Sequence, residues 1–128
     1  MIKKPLERHR LFRIITWVWL AILTILLLLP GRDIPRIDLD LGIPIDKLVH
    51  FTSLFIATGS FFLSIHWEEN KHRVKIILGL IFYGIFMEFF QHILQKSRAF
   101  EVADIIANLT GVLSAVLLYI IVGKIIKN

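Results

Sequence analysis

The chain has 128 residues, 56% of them hydrophobic, and a mean hydropathy of +0.73, more apolar character than a soluble domain of this length needs for its core. Composition of this kind belongs to an integral membrane protein. The absence of cysteine excludes disulfide frameworks, thiolate nucleophiles and Cys-based zinc sites, and the net charge of +5 does not point to nucleic acid, because the basic residues cluster beside apolar runs where anionic inner-leaflet lipid accounts for them.

A basic arm, MIKKPLERHRLFR, leads into an apolar run from Leu11 to Leu29. About 20 residues at ~1.5 Å each cross a hydrocarbon core of ~30 Å. The run is longer than a secretory h-region, and LLLLPGRD offers no A-x-A-like cleavage site, so it reads as a permanent span rather than a signal peptide. Pro30 to Asp46 contains three prolines and alternates Ile34, Ile37, Leu39, Leu41, Ile43 and Ile45 with polar breaks. Proline at that density excludes a helix, and the alternation predicts an extended segment lying on the bilayer interface. Asp46 stands where an N-cap belongs, ahead of a second span over 47–65. His66 to Lys75 is a polar turn, the third span runs over 74–95, a short link covers 96–100, and the fourth span runs over 101–123 before the tail KIIKN. With no internal repeat and no second domain, residues 1–128 read as one all-α bundle of four transmembrane helices.

Orientation follows from the basic residues. Lys3, Lys4, Arg8, Arg10, Arg13, Lys71, Arg73, Lys75, Lys124 and Lys127 fall on one side, against Arg32, Arg36, Lys47, Lys96 and Arg98 on the other. Positive charge favours the cytoplasm, so both termini are predicted to be cytoplasmic in a multi-pass protein of the plasma (inner) membrane. Trp17, Trp19 and Trp67 near the cytoplasmic ends of their spans fit an aromatic belt.

Three spans each carry one small and polar stripe at helical spacing. Asp46, His50, Ser53, Ala57, Ser60 and Ser64 share a face of the second; Gly84, Glu88, Gln91 and Gln95 share one on the third; Glu101, Asp104, Asn108, Gly111 and Ala115 share one on the fourth. Such faces meet in lipid, where close backbone approach and interhelical hydrogen bonds drive association. The first span, with Thr16 and Thr24 as its interior polar groups, is predicted to pack peripherally. An acid at the centre of a span costs roughly 2.5–3.5 kcal/mol, so Glu88 and Asp104 need partners, and Arg98, Lys47 and His50 are within reach.

The predicted site comprises Asp46, Lys47, His50, Glu88, Gln91, Arg98, Asp104 and Asn108, all within about 10 Å of the outer interface by helical rise. Two helix N-termini point toward it, and Lys47 and Arg98 add full charges. That combination suits the phosphate or carboxylate of a membrane lipid, a polyprenyl-phosphate carrier or a lipid-linked cell-wall precursor. In a competing reading Asp46, His50, Glu88 and Asp104 serve as general acid and base of a membrane-embedded enzyme acting on a lipid-linked phosphate or acyl group, with Arg98 stabilising developing charge; no nucleophile stands beside a base in a recognised pattern. A plain ion-pair network that fixes helix packing is the third reading. His50, His92, Glu88 and Asp104 do not occur at a recognised ligand spacing, so neither a metal nor a cofactor is expected.

Asp46-Lys47-x-x-His50-Phe51, then Glu88-x-x-Gln91, then Arg98 followed by Asp104-x-x-x-Asn108-x-x-Gly111, in this order within a small protein of several spans, resembles the VanZ-like family of bacterial membrane proteins. The pattern covers Asp46 to Gly111, with Lys96-Ser97 before Arg98 where such proteins carry Pro-Gly. The resemblance implies a cell-envelope protein and a link to teicoplanin resistance.

Overall fold

The computed structural model describes residues 5–29, 42, 44–65, 70–95 and 99–127. Their regular structure is helical throughout: α1 (Pro5–Leu28), α2 (Ile45–Leu63), α3 (Asn70–Leu94) and α4 (Val102–Lys127). Arg98, Trp67 and nearly all of the expected interfacial segment lie outside the described residues.

Three helix starts differ from the sequence reading: α3 begins at Asn70, inside the stretch expected as a polar turn over 66–75, and the other two differ for local reasons. α1 begins at Pro5, inside the basic arm, because a proline at the first helical residue loses no hydrogen bond and Glu7 in the first turn complements the helix dipole. α2 is preceded by Pro44 in an extended conformation (φ −57°, ψ 137°), so Asp46 sits in the first turn and is not the N-cap.

Contacts at the helix ends give an up-down order. His9 Nδ1 and the Leu63 carbonyl lie 3.0 Å apart, joining the start of α1 to the end of α2. Arg73 donates to the Tyr119 hydroxyl at 3.2 Å, joining the start of α3 to the end of α4. α2 packs on all three other helices, and its longest contact is with α4, which runs parallel to it.

Apolar and polar residues are distributed as lipid, not water, requires. Ile14, Val18 and Ile25 of α1, the row Phe82, Phe86 and Phe90 of α3, and Leu113, Leu117 and Ile121 of α4 are exposed. His50, Ser53, Thr58, Glu88, Gln91, Asp104 and Asn108 are buried. Leu20, Leu23, Leu54, Ala57, Leu80 and Val112 form the apolar core between them. Three helices, over Glu7–Leu28, Lys71–Leu94 and Val102–Ile126, are long and apolar enough to cross a membrane. α2 is outside that group because Asp46, Lys47, His50 and its hydroxyl residues dilute its hydropathy; most of these face its neighbours.

Close approach of α2 and α4 depends on Gly111. A Cβ there falls inside contact distance of the Phe51 carbonyl oxygen and 3.1 Å from its carbonyl carbon, and backbone cannot swing aside as a side chain does. Gly111→Ala is therefore predicted to lower stability by about 1–3 kcal/mol, the usual range for overpacking. Gly79→Ala, at a position with nothing within 4 Å, is the control and should be neutral or slightly stabilising. Thermal unfolding of both variants in detergent checks the pair.

Candidate functional site

Because α2 and α4 run parallel and in register, their first turns lie side by side. Lys47 and Asp104 each occupy such a turn, and they meet there: Nζ of Lys47 lies 2.5 Å from Asp104 Oδ1. The same ammonium donates to Asp46 Oδ2 at 2.8 Å and to Glu101 Oε2. Two adjacent helix N-termini disfavour a cation, and three carboxylates offset that field. The acids are graded by depth, since the side chains of Asp46 and Glu101 are 43% and 49% exposed, that of Lys47 is 16%, and that of Asp104 is 1%.

Below the lysine, a chain of hydrogen bonds orients His50. Asn108 Nδ2 donates to the Gly84 carbonyl at 3.3 Å, which turns Oδ1 of the same amide toward His50 Nδ1 at 3.2 Å. An amide oxygen only accepts, so Nδ1 carries a proton and Nε2 is the ring nitrogen turned away from Asn108. That nitrogen faces Asp104 Oδ2 at 3.7 Å, too long for a hydrogen bond. Glu88 comes from α3, with Oε1 accepting the Glu101 backbone N–H at 3.2 Å, one of the donors left over at the start of α4. His50, Glu88 and Asp104 are 2%, 1% and 1% exposed, and one ligand-type atom from each lies within 4.8 Å of the others.

Three other polar residues of α3, Gln91, Gln95 and Tyr83, serve α1. Gln91 donates to the Leu27 carbonyl at 2.6 Å and Gln95 to the Leu29 carbonyl at 2.6 Å, satisfying acceptors that the end of α1 cannot pair internally. Trp19 donates to the Ser53 carbonyl at 3.1 Å, and Thr24 and the Tyr83 hydroxyl are 2.8 Å apart. α1 is thus tied to α2 and α3 along its length and is less peripheral than its sequence suggests. Trp19 is an interhelical donor, while Trp17 is exposed and packs edge-on against Phe61. Leu23 and Leu27 of α1 close a cavity of about 10 Å³ beside His50, Ser53 and Asn108, room for one water-sized group.

Six of the eight residues expected at the site therefore converge: Asp46, Lys47, His50, Glu88, Asp104 and Asn108. Gln91 is directed to α1, and Arg98 lies outside the described residues. Glu101, absent from that expected set, joins it through Lys47 and through its backbone; its place three residues before Asp104 on the same stripe was the available signal. His92 is exposed and stacks edge-on against Phe100, away from His50.

Truncating Lys47 leaves Asp104 without its ammonium. Lys47→Met is predicted to destabilise by roughly 3–5 kcal/mol, the cost of breaking a buried pair from one side, and adding Asp104→Leu should recover most of it. Membrane abundance and unfolding midpoints of the single and double variants test this, and no recovery contradicts the pairing.

The family model described as VanZ/LLP1 matches residues 6–123. That range takes in α2, α3 and the site residues, together with nearly all of α1 and most of α4. No curated protein and no solved structure matches the chain. A match of this extent, over helices of membrane-spanning character, makes the chain a VanZ-like membrane protein, a member of the VanZ/LLP1 family.

Proposed function

We propose that this protein is a four-span plasma-membrane protein with cytoplasmic termini, whose polar cluster in the outer half of the bilayer binds the anionic head group of a lipid or a lipid-linked cell-wall precursor. A link to glycopeptide (teicoplanin) resistance belongs to the same reading. The observation that carries it is Lys47, a partly exposed ammonium at the junction of two helix N-termini, held from below by a buried carboxylate and from above by two exposed ones. Asp46 and Glu101 occupy the positions that an arriving phosphate takes, while Asp104 keeps the lysine aimed outward. The inner cavity is too small for a head group, so recognition takes place at the rim. α2 crosses the bilayer with its polar face turned inward, which places the basic clusters of residues 3–13, 71–75 and 124–127 together on the cytoplasmic side.

The enzyme reading is favoured by a separate observation, the orientation of His50 Nε2 toward the buried Asp104 carboxylate with Glu88 in the same cluster, an arrangement able to move a proton. Release of phosphate or acyl group from a lipid-linked substrate by purified protein separates it from binding alone.

Native mass spectrometry of gently solubilised protein tests the binding reading. Wild-type protein is predicted to retain an anionic lipid, and the folded fraction of Lys47→Gln, compared at equal amounts of protein, to lose that preference by about tenfold or more, the size of a lost charge-assisted contact. Equal retention by both contradicts it. Tags at either terminus should be inaccessible from outside intact cells, and an accessible terminus overturns the topology.

A further inference from the structure

We infer that His50, Glu88 and Asp104 form a binding site for a divalent first-row transition-metal ion. The ligand-type atoms of these residues lie within 4.8 Å of one another and come from three different helices. Around a metal with bonds of about 2.0–2.2 Å, tetrahedral ligands stand about 3.3–3.6 Å apart. The 3.7 Å between His50 Nε2 and Asp104 Oδ2 is close to that edge and too long for direct hydrogen bonding.

Each member of the triad is also held from behind. His50 is fixed through Nδ1 by Asn108, which leaves Nε2 as the ligand atom; Glu88 is fixed through Oε1 by the Glu101 N–H; Asp104 is fixed through Oδ1 by Lys47. Outer partners of this sort orient metal ligands and set their tautomers. Glu88 supplies the independent sign of a missing ligand, because its Oε2 is fully buried and finds no hydrogen-bond donor among the described residues. A carboxylate left so in a low-dielectric interior is costly, and a dication supplies what it lacks. Two carboxylates and a neutral imidazole match the charge and the ligand preference of such an ion.

Three protein ligands leave at least one coordination position open. If the head-group reading holds, that position faces the phosphate or carboxylate held at Lys47, so this part of the inference rests on that reading. Metal binding itself does not.

The test uses full-length protein in detergent, stripped with chelator and titrated with Zn²⁺ by calorimetry and with Co²⁺ by visible absorption. One ion per chain is expected, with cobalt bands of low coordination number and a rise in unfolding temperature on loading. Glu88→Gln should weaken binding at least about tenfold, and Asn108→Ala, acting only through His50, by roughly 10–100-fold. Glu7→Gln, at an exposed position on α1, should leave it unchanged. Should either site variant fail to fold, the wild-type stoichiometry and unfolding shift decide the matter. Absence of one-per-chain binding by wild type, or undiminished binding by folded Glu88→Gln, overturns the inference. Lipid retention is measured on the same stripped and reloaded samples. Anionic lipid kept without any metal binding refutes the metal site alone, whereas metal bound with no lipid kept upholds it and refutes the head-group reading.

Discussion

Glu88 and Asp104 are carboxylates almost fully removed from solvent in a chain whose exterior is hydrocarbon-like, and each draws a partner from another helix. Asp104 needs Lys47 of α2, and Glu88 needs the backbone N–H at the start of α4. Satisfying both forces α2, α3 and α4 together at one end, at a fixed height, with α2 and α4 parallel. The Gly111 contact then lets the two backbones close to the distance at which Lys47 reaches Asp104 and His50 reaches Asn108. Polar satisfaction and close packing act on the same pair of helices, as association in a bilayer demands.

The same constraint separates two kinds of polar residue that look alike in sequence. Gln91 and Gln95 are buried like Asn108, and their amide N–H groups finish the hydrogen bonding of α1. One ligand-type atom from each of His50, Glu88 and Asp104 lies within 4.8 Å of the others, while each residue is held by a different outer partner. The depth grading of the acids around Lys47, from exposed Asp46 and Glu101 to buried Asp104, gives the site an outer rim and an interior.

Much of this was legible from spacing alone. The stripe Gly84, Glu88, Gln91, Gln95 is buried at every position, and so are Asp104, Asn108, Gly111 and Ala115, because helical periodicity fixes which residues share a face and lipid fixes which face turns inward. Spacing could not tell that Gln91 bonds a carbonyl of α1, since acceptors at helix ends belong to every sequence and carry no residue signature. Stripes and depth together put His50 in one set with Glu88 and Asp104 and left His92 out of it, but the distances within that set come from the parallel register of α2 and α4, which spacing along the chain does not carry. The early start of α1 was available in Pro5 and Glu7, whose helix-initiating character the surrounding basic residues obscured.

One hydrogen-bonded chain, from Gly84 through Asn108 to His50, holds an imidazole beside carboxylates of two other helices. Nitrogen NMR of the His50 side chain in nanodiscs reads this most directly, with the resonance assigned by its loss in His50→Gln. A proton on Nδ1 is expected, with a resonance that moves on Glu88→Gln and a preference for Nδ1 that is lost in Asn108→Ala. A ring protonated at Nε2 alone, indifferent to both substitutions, would contradict it.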